Sequence, residues 1–141
     1  MTLAQEETLR MDHSRVSVRM RPGALAPASA RRWVFQIGTN WGLSLRLIED
    51  AALVAGAIVL HSVRQAGSPL CLSLLPTEDT VLIEVEDACT AFPTVSTGCD
   101  RCRGREGLGL DLVHRVAQAF GFTRLPDGRQ VWARVVEYDA A

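Results

Sequence analysis

Asp87 and a glycine-rich stretch after it are the residues whose types and spacing favour binding chemistry. Asp87 closes an apolar, strand-like run, so its carboxylate could accept a hydrogen bond from a ligand amino group. Gly104, Gly107, Leu108 and Gly109 lie just before and at the start of a segment with helical spacing. There, bare backbone amides and the helix dipole can approach a phosphate chain closely. Each feature alone is also typical of an ordinary turn.

Hydrophobic periodicity predicts the elements that position these residues. A strand is predicted at 15–20, helices at 28–41 and 44–65, a hairpin of strands at 70–75 and 80–86, a loop at 88–106, a helix at 108–120 capped by Gly121, and strands at 123–125 and 130–136. This order predicts an α/β two-layer sandwich, in which about three helices cover one face of a mostly antiparallel sheet. Residues 1–14 are polar and aperiodic, which indicates a loose arm before a single domain at 15–141.

Composition excludes several classes of function. The net charge is −1, so no global electrostatic attraction draws the chain to nucleic acid or anionic lipid. All 15 basic residues are arginine, which excludes a P-loop lysine and a Schiff base. No apolar run is long enough to span a membrane, and residues 1–20 carry charges without an apolar core. We therefore expect a cytoplasmic protein whose four cysteines are reduced.

Three regions of the chain resemble the GHKL ATPase superfamily, in particular its anti-sigma-factor serine kinases. They are the helix and turn of 51–69, the strand of 81–87, and 104–110 together with the closing strand of 128–133. The resemblance covers about residues 16–136. It implies the Bergerat fold, an adenine contact at Asp87, phosphate contacts at the glycine stretch, a lid at 88–106, and ATP or ADP as ligand.

The sequence departs from the family at the two positions that carry catalysis in that family. Aligning the shared segment 66–69 places the family's general base, a glutamate, at Ala57 and its magnesium ligand, an asparagine, at His61. Alanine accepts no proton, and histidine nitrogen suits zinc, nickel or copper better than magnesium. Cys89 also stands where many members have glycine. The sequence therefore predicts no catalytic residue and makes a magnesium site doubtful, with His61 favoured as a residue at the edge of the core.

We expect a regulatory domain that acts by protein–protein contact, with a sigma factor or an anti-sigma-antagonist-like protein as partner and a homodimer as its own state. Its pocket is then empty, binds nucleotide without turnover, or holds another ligand. The alternative is an active ATP-dependent serine kinase that phosphorylates an anti-sigma-factor antagonist, with its base supplied from elsewhere.

The cysteines leave a third hypothesis open. Cys99 and Cys102 form a CxxC pair. If the lid folds over the pocket as in the family, this pair could meet Cys89 and His61 in a tetrahedral zinc site. Neighbouring arginines could instead lower a thiol pKa and favour redox chemistry. A single CxxC is a weak motif, and ordinary loop cysteines are the more common interpretation.

Overall fold

The computed structural model describes residues 15–77, 79–90 and 107–137, which form five strands and three helices. The elements are β1 Val16–Met20, α1 Ala26–Trp41, α2 Leu45–Ala66, β2 Leu70–Pro76, β3 Thr80–Asp87, α3 Gly107–Val116, β4 Ala119–Leu125 and β5 Gly128–Val136. The predicted order of strands and helices is confirmed.

The strands form one antiparallel sheet in the order β1-β2-β3-β5-β4. Alternate residues along the strands are buried, as expected for a sheet that is covered by helices on one face only. One such row runs across four strands through Val18, Leu72, Val85 and Val131, all fully or almost fully buried. The central helix α2 packs against β2, β3 and β5, and against α1 and α3. The α/β arrangement predicted from the sequence is confirmed at this level.

Local chemistry fixes the ends of the first two helices. Pro27 lies in the first turn of α1, where its missing N–H costs no hydrogen bond, and Gly42 ends this helix at a left-handed φ of 78°. The hydroxyl of Ser44 accepts a hydrogen bond from the Leu47 amide at 3.1 Å and caps α2. Gly67 ends α2 at a φ of 63°. These two helices are therefore predicted correctly to within two residues.

The helix predicted over 108–120 is present, but its predicted end, with Gly121 as its cap, is wrong. Helix α3 ends at Val116, and β4 begins at Ala119 instead of at 123. Gln118 already donates its amide to the Arg134 carbonyl at 2.8 Å. Gly121 lies opposite Trp132, where a Cβ would come 2.8 Å from the indole Cζ2 atom. The glycine thus makes room for a cross-strand indole in a strand and does not cap a helix.

Two predicted segments fall largely outside the described residues. The arm at 1–14 lies outside them entirely, and of the loop at 88–106 only 88–90 is described, without regular structure. In the described part of the chain, no helix combines the length and apolar character needed to cross a membrane.

Candidate functional site

Asp87 is the last residue of β3, and its side chain is completely buried. It continues the inward-facing positions of this strand after Val81, Ile83 and Val85. An aspartate at a core position must be hydrogen-bonded or paired, because an isolated buried carboxylate is strongly unfavourable. The neighbours of Asp87 therefore determine what this end of the sheet can bind.

Two neutral groups donate hydrogen bonds to Asp87. The hydroxyl of Ser62, on the buried side of α2, lies 2.5 Å from Oδ2. The backbone amide of Cys89, just beyond the strand, lies 2.9 Å from Oδ1. These contacts tie the end of β3 both to α2 and to the start of the following loop.

Arg129 supplies the opposite charge. It pairs with Asp87 in the β3–β5 register, and its side chain is also completely buried. Its Nε lies 3.2 Å from Oδ1, and its Nη2 lies 3.4 Å from Oδ2. Gly128 permits this approach, since a Cβ there would come 2.0 Å from the Asp87 carbonyl oxygen. The Nη1 group of Arg129 is buried and has no acceptor among the described residues.

The four donor groups described above occupy the acceptor positions of the Asp87 carboxylate. An ionised carboxylate offers about four lone-pair positions. One oxygen accepts from the Cys89 amide and Arg129 Nε, and the other accepts from Ser62 and Arg129 Nη2. In this arrangement the carboxylate is satisfied by the protein itself. A ligand amino group would have to displace one of these partners.

The two positions aligned with catalytic residues lie on α2, and both are buried. Ala57 faces the core and is 8% exposed. His61 is 5% exposed, and its ring meets the ring of Phe122 on β4 edge-on, with 6.1 Å between centroids. His61 directly precedes Ser62, so this part of α2 lies beside the Asp87 cluster. The burial of His61 agrees with its interpretation as a residue of the core edge.

The remaining candidate residues are only partly described. Gly107, Leu108 and Gly109 form the first turn of α3. Gly104 lies outside the described residues. So do Cys99 and Cys102, two of the four proposed zinc ligands. Within the described ranges, no three His, Cys, Asp or Glu side chains are grouped so as to hold a metal ion.

Ser62 and Arg129 were not predicted as site residues, although the sequence carries a signal for both. The buried face of β5 carries Val131, Ala133 and Val135, and the same alternation places Arg129 inward. A charged residue at an inward strand position calls for a buried partner of opposite charge. Ser62 likewise follows Ile58 by four residues on the buried stripe of α2.

Comparisons with known proteins give no further guide to this site. Neither the protein-family models nor the curated proteins contain a match to the chain.

Proposed function

We propose that this chain is a GHKL-like regulatory domain that acts by contact with a protein partner and does not transfer phosphate. The partner class suggested by the resemblance is a sigma factor or an anti-sigma-antagonist-like protein. The observation that carries the proposal is the buried cluster of Asp87, Arg129 and Ser62.

The cluster argues against an adenine contact of the usual kind. In a nucleotide pocket built on Asp87, the carboxylate must have a lone pair free for the adenine amino group. Here Arg129 occupies both oxygens from the neighbouring strand, and Ser62 adds a short hydrogen bond. An adenine amino group would have to displace one of these donors, and a buried donor left without its acceptor costs about 1–3 kcal/mol.

The helix α2 offers no carboxylate within one turn of Ala57 to replace the missing base. Ala57 carries no proton acceptor, and the described part of α2 has its carboxylates only at Glu49 and Asp50. These lie about two turns away, or roughly 12 Å for Glu49 at the usual helical rise. Phosphoryl transfer depends on magnesium and on well-placed groups that spread charge. Helix α2 therefore lacks the carboxylate base that phosphoryl transfer uses in this family.

The helical layer has apolar side chains that a partner could cover. Leu45 and Leu53 on α2 are 63% and 44% exposed, and Phe35 on α1 is 38% exposed. Leu53 lies eight residues after Leu45, so the two share one side of α2. Contiguous exposed apolar surface marks protein-interaction sites, so we expect a partner to pack on the side of α2 that carries Leu45 and Leu53.

A phosphotransfer assay tests this function. The purified chain would be incubated with γ-labelled ATP, magnesium and a panel of anti-sigma-factor antagonist proteins. Complex formation would be followed by size-exclusion chromatography in parallel. We expect no labelled antagonist and no ATP hydrolysis above background, together with a stable complex for a cognate protein. Robust labelling on serine would overturn the proposal and establish the kinase alternative.

A paired variant sharpens this assay. Ala57→Glu with His61→Asn restores the family's base and magnesium ligand but leaves Arg129 in place. We expect this variant to remain inactive, because the Asp87 carboxylate is still occupied. Activity in the variant would show that the missing side chains alone prevent catalysis, and would contradict the role given to the Asp87 cluster.

A further inference from the structure

Strand β1 forms one edge of the sheet. In the described part of the chain it pairs only with β2, so the backbone groups that point away from β2 have no strand beside them. In an antiparallel pair, every second residue directs its N–H and C=O groups to the neighbouring strand, and the others direct theirs to the outer edge. An edge of this kind is a template on which a further strand can pair.

The two faces of β1 differ in their side chains. Val16 and Val18 are buried in the core. Arg15 and Arg19 alternate with them and lie on the face of the sheet that the helices leave open, where Arg15 pairs with Glu84. A strand added at this edge would therefore continue an apolar row on one face and meet positive charge on the other.

The charge around this edge is positive. In the range 15–48 the chain has six arginines and no aspartate or glutamate, and all six arginines are exposed. Arg19 and Arg21 form no ion pair with any described residue. The carboxylate-bearing Glu86 on β3 is separated from Arg19 by the width of β2. The edge therefore presents two cations to an acidic partner.

Charge decides which kind of strand can add to this edge. A second copy of β1 would bring arginine against arginine, and charged side chains on edge strands are a common device against such self-pairing. An extended segment with carboxylates at alternate positions would meet the arginines with opposite charge, and cross-strand pairs of opposite charge stabilise a sheet. Nucleic acid is also negatively charged, but it has no peptide groups with which to complete the ladder.

We propose that the β1 edge binds an acidic protein segment in extended conformation, which adds a sixth strand to the sheet. Its carboxylates lie near Arg19 and near Arg21, which follows the strand, and its apolar side chains continue the row of Val16 and Val18. The argument uses neither the Asp87 cluster nor the exposed residues of α2, so it does not rest on the function proposed above.

Backbone methylation of a probe peptide distinguishes strand addition from simple charge attraction. We would titrate the full chain into a fluorescein-labelled peptide of alternating valine and glutamate and follow its fluorescence anisotropy. Only the amides on one edge of the added strand meet β1, and these belong to every second residue of the peptide. One peptide is therefore methylated at the valine nitrogens and another at the glutamate nitrogens. We expect one of the two to bind at least about tenfold more weakly than the other.

Matched arginine variants test the charge contribution. Arg19→Gln with Arg21→Gln should weaken binding of the unmethylated acidic peptide by about tenfold. Arg134→Gln, which changes an exposed arginine on the open face of β5, should leave binding unchanged.

Three results would overturn the proposal. The first is equal binding of the two methylated peptides, or no binding of the acidic peptide, because no strand is then added. The second is tighter binding of a single-stranded oligonucleotide than of the peptide. The third is a monomer–dimer equilibrium in analytical ultracentrifugation that the peptide shifts to the monomer, because the edge would then belong to a second copy of the chain.

Discussion

At the scale of single residues, the pair of Asp87 and Arg129 is the most informative feature of this chain. Both side chains are completely buried, and the pair bridges two neighbouring strands. Burying two charges is costly, so such a pair is weak evidence for stability as a whole. Its consequence is local, because a ligand amino group could bind the carboxylate only by displacing one of the protein donors.

Replacing Arg129 with methionine should destabilise the fold strongly. The change leaves the Asp87 carboxylate buried without its counter-charge, so we expect the free energy of unfolding to fall by about 3–5 kcal/mol. The double variant Asp87→Leu with Arg129→Met should lose less than the sum of the single losses, because both charges are then gone. Urea-induced unfolding, followed by circular dichroism, measures each value.

Arg134→Met is the matched control for this substitution. Arg134 lies on the same strand but is exposed, so its replacement should change the free energy of unfolding by less than about 0.5 kcal/mol. Equal effects at 129 and 134 would mean that Asp87 does not depend on Arg129.

Cys71 should react slowly with alkylating agents in the folded protein. Burial raises the pKa of its thiol above the ordinary value, and the nearby Glu86 carboxylate raises the pKa as well. The reactive species is the thiolate, so the midpoint of alkylation against pH should lie higher in the folded than in the urea-unfolded chain. Iodoacetamide labelling with site-resolved mass spectrometry measures both midpoints.

The Glu86→Gln variant tests the cause of this shift. It removes a negative charge near Cys71, which should lower the pKa of the thiol and speed its alkylation in the folded protein at fixed pH. A variant with an unchanged or slower rate would show that the carboxylate does not influence the thiol.

At the scale of elements, the sequence predicts those segments whose ends carry local signals. Pro27, Gly42, Ser44 and Gly67 mark α1 and α2, and both helices form where these residues indicate. The end of α3 has no comparable signal. Phe120 satisfies the helical spacing of the preceding residues, but it also satisfies strand alternation with Phe122. Pairing with β5 decides between the two patterns, and pairing is a long-range contact that local periodicity does not encode.

Gly128 is the glycine on which the β3–β5 junction depends. A Cβ at this position would lie 2.0 Å from the Asp87 carbonyl oxygen, and backbone atoms cannot move aside as a flexible side chain can. Gly128→Ala should therefore lower the free energy of unfolding by about 3 kcal/mol. Urea unfolding also measures this variant.

Gly23→Ala is the comparison for Gly128→Ala. A Cβ at Gly23 meets no atom within 4 Å, so the change should be nearly neutral. A neutral Gly128→Ala variant would indicate that β3 and β5 do not approach each other as closely as described, and that the Asp87–Arg129 contact is looser.

At the scale of the whole molecule, an antiparallel sheet and three helices bring α2 and the end of β3 together. This arrangement follows from apolar periodicity, and the sequence predicts it together with the position of Asp87 at the end of an apolar strand. The partners of Asp87 were not predicted, because they come from segments 25 and 42 residues away in the chain. Only the three-dimensional fold places Ser62 and Arg129 on the carboxylate.

Isothermal titration of ATP and of ADP into the purified chain, first with magnesium and then with EDTA, shows whether nucleotide binding here depends on the metal. We expect no magnesium-dependent binding, because Ala57 and His61 replace the family's base and metal ligand and Asp87 is already paired. Any binding heat should be weak and the same in EDTA. Tight one-to-one binding that is lost in EDTA would refute the proposed function and would favour the active kinase.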